Sequence, residues 1–143
     1  MKTVIAFGSF DILHRGHILY LDEAKRLGGR LVVVIARDES VRMFKGKRPF
    51  FDERTRRYMV GSLRVVDQAV LGGKLSKPAD IYRIFLKHRP DIIAIGYDQR
   101  VNVAELKEWL AAHGIAARVV RIRKKLNEEF YKSSAIKRRI ASL

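Results

Sequence analysis

Uninterrupted apolar runs alternate along the chain with segments whose apolar residues recur at helical spacing. The run Leu31–Ala36 is continuous and rich in β-branched residues, which is the pattern of a parallel strand covered on both faces. In Gly16–Leu27 the apolar residues return every three or four positions, and Gly28 and Gly29 end the pattern. The chain therefore predicts both strands and amphipathic helices.

Applied to the whole chain, this pattern predicts five strands and five helices in alternation. The strands are predicted at Thr3–Phe7, Leu31–Ala36, Gln68–Leu71, Asp91–Ile95 and Ala116–Arg121, and the helices at Gly16–Leu27, Asp52–Ser62, Pro78–Lys87, Val103–His113 and Ser133–Ala141. Such alternation implies an α/β fold, a doubly wound five-stranded parallel sheet in a single domain of residues 1–143. Ligands of such sheets bind beyond the carboxyl ends of the strands, where the strand order reverses.

Composition narrows the class of protein. The 143 residues are 48% hydrophobic and include no cysteine, so we expect a cytoplasmic protein with a core that needs no disulfides, and no apolar run is long enough for a membrane helix. The formal net charge of +15 favours polyanionic ligands. A basic nucleic-acid-binding module is therefore an alternative, but charge is its only support, because the sequence has no nucleic-acid-binding motif.

The strongest chemical signal follows the first predicted strand. It reads Gly8-Ser9-Phe10-Asp11, then His14-Arg15-Gly16-His17 at the start of a helix. A helix N-terminus binds phosphate through free backbone N–H groups, and imidazoles can donate hydrogen bonds to phosphate oxygens. Two such histidines can also bind a metal, but no third ligand stands at a recognisable spacing, so we assign no protein metal site. We treat His88 and His113, near helix ends, as structural.

This combined string resembles the signature of the cytidylyltransferase-like nucleotidyltransferases, with Ser9 in place of the usual threonine. The resemblance extends over almost the whole chain. It is most specific for archaeal FAD synthases, which residues 34–38, residues 96–99 and the pair Ser133-Ser134 resemble. It implies the Rossmann-like fold of the HxGH nucleotidyltransferases and transfer of AMP from ATP to FMN, which gives FAD and pyrophosphate. It also implies a divalent cation, Mg²⁺ or another, carried with ATP, and a homodimer, since relatives commonly form one.

The resemblance also implies roles for single residues. His14, His17 and Lys47 would act on the phosphates, Lys45, Arg56 and Arg64 would bind phosphate or acceptor more weakly, and the nucleotide would contact Gly8, Ser9, Phe10, Asp11, Arg15, Gly16, Asp98, Ser133 and Ser134. Simpler interpretations stay open: the two lysines as loop charges, Arg56 as a solvated helix charge, Asp98 as a turn residue and Ser133 as an N-cap. Phe50, Phe51, Tyr58 and Trp109 are interpreted as packing residues.

Related enzymes of the same signature leave the acceptor open. Glycerol-3-phosphate cytidylyltransferases and sugar-phosphate (heptose) adenylyltransferases share the motif, and pantetheine-phosphate adenylyltransferases have a more divergent form of it. The arginine that often precedes the last motif in glycerol-phosphate enzymes is replaced near Asn127, which counts against that acceptor. We therefore predict FMN adenylyl transfer, with nucleic acid and membranes as unlikely partners.

Overall fold

The computed structural model describes residues 1–124 and 132–143 and contains a five-stranded, wholly parallel sheet in this part of the chain. Its strands run in the spatial order β3-β2-β1-β4-β5. Their bounds are β1 Lys2–Gly8, β2 Gly29–Ile35, β3 Gln68–Leu71, β4 Ile92–Ile95 and β5 Arg118–Arg121. The predicted doubly wound sheet is thereby confirmed.

The helices agree with the sequence pattern except at two places. Their bounds are α1 Arg15–Gly28, α2 Asp38–Lys45, α3 Glu53–Gly61, a 3-10 helix Pro78–Arg83, α4 Ile84–Lys87, α5 Val103–Ala112 and α6 Ser133–Ala141. The placement of Lys45 in a loop was wrong, because it is the last residue of α2. The single helix predicted over Pro78–Lys87 is mostly a 3-10 helix, since its two parts bury little besides Phe85.

The α2 helix has local signals that the apolar pattern did not reveal. Asp38 and Glu39 occupy its first turn, where acidic side chains complement the positive end of the helix dipole. Gly46 ends it with a φ of 76°, in the left-handed region that glycine adopts readily. Only Ser40 and Val41 are buried, and most of the eight residues are polar, so the segment does not stand out as an apolar run.

Successive side chains of β1 alternate between two cores. Val4 and Ala6 pack on one face with Leu21 of α1, whereas Ile5 packs on the other with Leu106 of α5. Helices thus cover both faces, as the β-branched central strands predict. Among the described residues, no helix is long and apolar enough to cross a membrane.

Strand order reverses between β1 and β4, and Tyr20 marks the point where these strands separate. Their last paired residues are Ala6 and Ala94. The Tyr20 hydroxyl accepts a hydrogen bond from the Phe7 amide at 3.3 Å and donates one to the Ala94 carbonyl at 2.7 Å. The crevice at the carboxyl ends of β1 and β4 is therefore where a ligand is expected.

Candidate active site

The turn that leaves β1 is shaped by a phenylalanine in a backbone conformation that glycine usually adopts. Phe10 has a φ of 49° and is 3% exposed. Its ring stacks on Tyr20, lies edge-on to His17 and approaches Gly8 closely, so that a Cβ at position 8 would lie 3.1 Å from the ring and the ring would have to shift. A non-glycine residue held in this region stores strain, which proteins tolerate chiefly at functional sites.

The side chains of His14 and His17 both cap backbone N–H groups at the start of α1. The Gly16 amide donates to Nδ1 of His14 at 3.0 Å, and the His14 amide donates to Nδ1 of His17 at 3.3 Å. The two rings stack with their centroids 3.9 Å apart. Because both Nδ1 atoms accept hydrogen bonds, each neutral ring carries its proton on Nε2. The site therefore holds two adjacent imidazole N–H donors.

Burial keeps this pair uncharged. Desolvation lowers the pKa of His17 to about 3, reinforced by the positive potential of His14 and Lys45 and opposed by Asp11. Desolvation also lowers the pKa of His14, against the opposing charge of Asp98. Neutral imidazoles at physiological pH can donate from Nε2 without repelling the nearby lysine.

The buried His17 predicts how stability depends on pH. Between the ordinary imidazole pKa of about 6.5 and its folded value of about 3, the unfolded chain binds a proton at His17 that the folded chain does not. The contribution of His17 to the free energy of unfolding is therefore fully present above pH 6.5 and is lost as the pH falls towards 3. Urea unfolding between pH 7.5 and 5 should show this loss, and His17→Gln should reduce the slope. Exposed His113→Gln is the control; equal slopes in wild type and His17→Gln would contradict the prediction.

Asp11 connects the turn to the last helix. The residue is 6% exposed, its Oδ1 accepts from the Phe51 amide at 3.1 Å, and its Oδ2 pairs with the Lys137 ammonium of α6. Burial by itself raises the carboxyl pKa, but Lys137 and the amides of Phe50 and Phe51 outweigh it and lower the pKa. Asp11 is therefore an anion held between two segments that are far apart in the sequence.

Ser133 makes a second connection between the turn and α6. Its hydroxyl donates to the Ile12 carbonyl at 3.2 Å. The N-cap interpretation of Ser133 is wrong, because Lys132 is the N-cap and Ser133 is the first helical residue. Ser134 is exposed in the same turn. The N-terminus of α6 thus lies close to the N-terminus of α1.

Lys45 and Arg56 hold the turn from the opposite side. The Lys45 ammonium donates to the Ser9 hydroxyl at 2.9 Å, and partial desolvation of the ammonium lowers its pKa. Arg56 is fully buried and donates to the Ser9 carbonyl at 2.7 Å, the Phe51 carbonyl at 3.0 Å and Asp38 Oδ1 at 2.8 Å. The interpretation of Arg56 as a solvated charge is therefore wrong, since its guanidinium shapes the turn.

A hydrogen-bonded loop after β4 forms the other wall of the crevice. The Gln99 side chain accepts from the Gly96 amide at 2.7 Å and donates to the Phe7 carbonyl at 2.5 Å. Arg121, the last residue of β5, donates to the carbonyls of Gly96 and Gln99 at 2.9 and 3.0 Å. The exposed Asp98 lies on this loop, 3.9 Å from the Lys132 ammonium.

The sequence pattern had assigned no role to Tyr20 or Arg121. The available signal for Arg121 was a charged residue at the carboxyl end of a predicted strand, at the edge where ligands bind. Tyr20 gave no such signal, because a tyrosine on a helix is ordinarily a packing residue. Its hydroxyl becomes informative only through its contacts with two strands.

Comparison with known proteins decides the family. A model of the cytidylyltransferase-like family matches residues 5–139. The chain belongs to the cytidylyltransferase-like family. It is 43% identical over 143 residues to the FAD synthase of Thermoplasma volcanium, covering 100% of this chain and 96% of that protein. It is 49% identical over 124 residues to the FAD synthase of Aciduliprofundum boonei, covering 87% of this chain and 80% of that protein.

A solved member of similar sequence has the same fold. The crystal structure of the lipopolysaccharide core biosynthesis protein from Thermoplasma volcanium superposes with a TM-score of 0.81 at 46% identity. The match covers 88% of this chain and 99% of that one. The family match and the similarity to FAD synthases show that the chain is a nucleotidyltransferase of the cytidylyltransferase-like family.

Three residues carried over from the family pattern are exposed. Lys47 lies exposed in the segment after α2, and Arg15 is exposed at the start of α1. Arg64 is exposed just before β3, at the amino-terminal edge of the parallel sheet, so the structure does not bring it to the histidines. The roles of all three in phosphate binding stay predictions. Asn127 lies outside the described residues.

Proposed function

We propose that this chain is an FAD synthase, which transfers AMP from ATP to FMN and releases pyrophosphate. The observation that carries the proposal is the pair of neutral imidazoles whose Nε2–H groups stand at the mouth of α1. The full-length similarity to FAD synthases supports FMN as the acceptor. In a nucleotidyltransferase of this family, two such N–H donors suit the transfer of a nucleotidyl group from one phosphate to another.

The proposed reaction needs positioning rather than a strong base. An oxygen of the FMN phosphate forms a bond to the α-phosphorus of ATP, while the bond from that phosphorus to the pyrophosphate oxygen breaks. A phosphate monoester is already anionic near neutral pH, so no carboxylate has to remove a proton. His14 and His17 donate to the α-phosphate oxygens and stabilise the charge that develops there.

The surrounding residues suit the remaining phosphate charge. Lys45, fixed beside Ser9, and Lys47 attract the incoming phosphate groups, and the first turn of α6 with Ser133 and Ser134 offers amides and hydroxyls to the β- and γ-phosphates. Asp98, on the loop after β4, faces the nucleoside. The contacts of Lys45, Ser133 and Asp98 around the crevice support these proposed roles, whereas the roles of Lys47 and Ser134 rest on the family pattern.

We propose that the divalent cation arrives with ATP and is held by triphosphate oxygens. Among the described residues no three His, Cys, Asp or Glu side chains are grouped as metal ligands. Asp11 does not fit as a ligand, since its oxygens already face the Phe51 amide and the Lys137 ammonium. The homodimer and the cytoplasmic location stay predictions.

A matrix of nucleotides and acceptors tests the proposal. ATP and CTP are each combined with FMN, glycerol-3-phosphate, phosphopantetheine and heptose-1-phosphate, and pyrophosphate release is measured. We expect release to require both ATP and FMN, and FAD to appear in equal amount. Sugar-phosphate adenylyl transfer is the second candidate, because one similar solved protein is named for lipopolysaccharide core biosynthesis. Release with heptose-1-phosphate but not FMN would replace the proposal by that candidate.

A further inference from the structure

The segment 43–51 carries an unusual mixture of exposed side chains. Met43, Phe44 and Phe50 are 43%, 51% and 73% exposed. Between them lie three cations and a glycine, in the order Lys45-Gly46-Lys47-Arg48. A single exposed apolar side chain is ordinary, but several next to clustered cations indicate a surface for a ligand that is both apolar and anionic.

This segment is tied to the catalytic turn at both of its ends. Lys45 donates to the Ser9 hydroxyl at 2.9 Å, and the Phe51 amide donates to Asp11 at 3.1 Å. The Phe50 amide also lies against the Asp11 carboxylate and helps to lower its pKa. Arg56 holds the Phe51 carbonyl at 3.0 Å. The backbone of Phe50 is therefore fixed within one residue of the turn that precedes the two histidines.

The Phe50 ring contacts the neighbouring Phe51 ring and is otherwise mostly exposed. It meets the Phe51 ring nearly at right angles, at 87° with the centroids 5.0 Å apart. Phe51 is half-buried, whereas most of the Phe50 ring is accessible. A ring supported by its neighbour and otherwise uncovered can stack on a planar aromatic ligand.

We propose that Phe50 is the stacking surface for the isoalloxazine ring of FMN, with the FMN phosphate drawn towards the histidines by Lys45 and Lys47. This inference rests on the proposed function, which makes FMN the acceptor. FMN combines a planar apolar ring with a dianionic phosphate, and the segment combines an open aromatic ring with cations. The nucleotide takes the opposite wall, where Asp98 and the first turn of α6 lie.

The first test removes the ring. Phe50→Ala should weaken FMN binding on the order of tenfold, as loss of an aromatic stacking partner does, and leave the affinity for ATP unchanged. Riboflavin, which lacks the phosphate, should lose affinity by a similar factor, which identifies the ring as the contact. The control is Tyr58→Ala on α3, because Tyr58 is 76% exposed and thus loses a comparable exposed aromatic ring. Equilibrium dialysis with FMN, riboflavin and ATP gives the affinities.

The second test places a quencher at the same position. An indole in contact with an excited flavin quenches its fluorescence by electron transfer. Phe50→Trp should bind FMN as well as wild type does and quench its emission far more strongly. Tyr58→Trp should bind FMN with wild-type emission. This readout reports contact with the ring and does not depend on turnover.

Each outcome is decisive. Equal FMN affinity in wild type and Phe50→Ala, or no added quenching in Phe50→Trp, would overturn the stacking surface while leaving FMN transfer intact. A change from dimer to monomer in Phe50→Ala at unchanged FMN affinity, seen by analytical ultracentrifugation, would show instead that a second copy covers Phe50. A wild-type protein that neither binds FMN nor forms FAD would reject the proposed function itself.

Discussion

His14→Asn and His17→Gln are each expected to lower kcat about 10²–10³-fold, because each removes one preorganised donor to the transferred phosphate. Asparagine is a favoured N-cap residue and glutamine completes a capping box, so both variants keep an acceptor for the backbone N–H that Nδ1 now serves. Both variants lose the imidazole Nε2–H at its present position together with the stack between the two rings, because a side-chain amide places its N–H groups differently. Steady-state pyrophosphate release with saturating ATP and FMN measures the effect.

The control for this prediction is the stability of the same variants. Because the helix start is retained, their free energies of unfolding at pH 8 should lie within about 1 kcal/mol of wild type. His14→Ala, which removes cap and donor together, should lose both activity and about 1 kcal/mol of stability. Near wild-type kcat in His14→Asn or His17→Gln would refute the assignment of donors.

Arg56→Met is expected to destabilise the fold by about 3 kcal/mol, since removing one partner of a buried ion pair leaves the others unsatisfied. The three oxygens concerned are Ser9 O, Phe51 O and Asp38 Oδ1. For a domain of this size the loss corresponds to a fall in Tm of about 10 °C. Thermal unfolding followed by circular dichroism measures it.

Arg57→Met is the matched control, because it removes the same charge from an exposed position of the same helix. Its Tm should remain within about 2 °C of wild type, as for most surface substitutions. A Tm for Arg56→Met that equals that of Arg57→Met would contradict the structural role of the buried guanidinium. Activity should fall in Arg56→Met alone, because the Ser9 turn loses its support.

The three central strands were predictable because each contains an uninterrupted apolar run, a pattern that burial on both faces enforces. Gln68–Leu71 and Ser133–Ala141 were predicted with the bounds that the structure shows. The α2 helix was not predicted, since its eight residues are mostly polar and only two of them are buried, so the segment does not stand out as apolar. Its acidic first turn and Gly46 were the signals that could have been used.

The position of the site was predictable, whereas its contacts were not. The motif string and the rule for parallel sheets placed His14 and His17 beyond β1. The partners of Asp11 could not be inferred, because Lys137 is 126 residues away and only tertiary packing brings it near. The burial of Arg56 was equally hidden, since arginine is rarely buried without several acceptors and these come from three separate segments.

The two contacts between the first turn and α6 bear on when the enzyme becomes competent during its synthesis. Ile12 and Asp11 leave the ribosome 121 and 126 residues ahead of Ser133 and Lys137, their respective partners. Until both partners have been made and have docked, the Asp11 carboxylate lacks its ammonium partner and the Ile12 carbonyl lacks its hydroxyl partner. We expect a chain that ends before Ser133 to bind ATP much more weakly than the full chain, so that substrate is not engaged by an unfinished polypeptide.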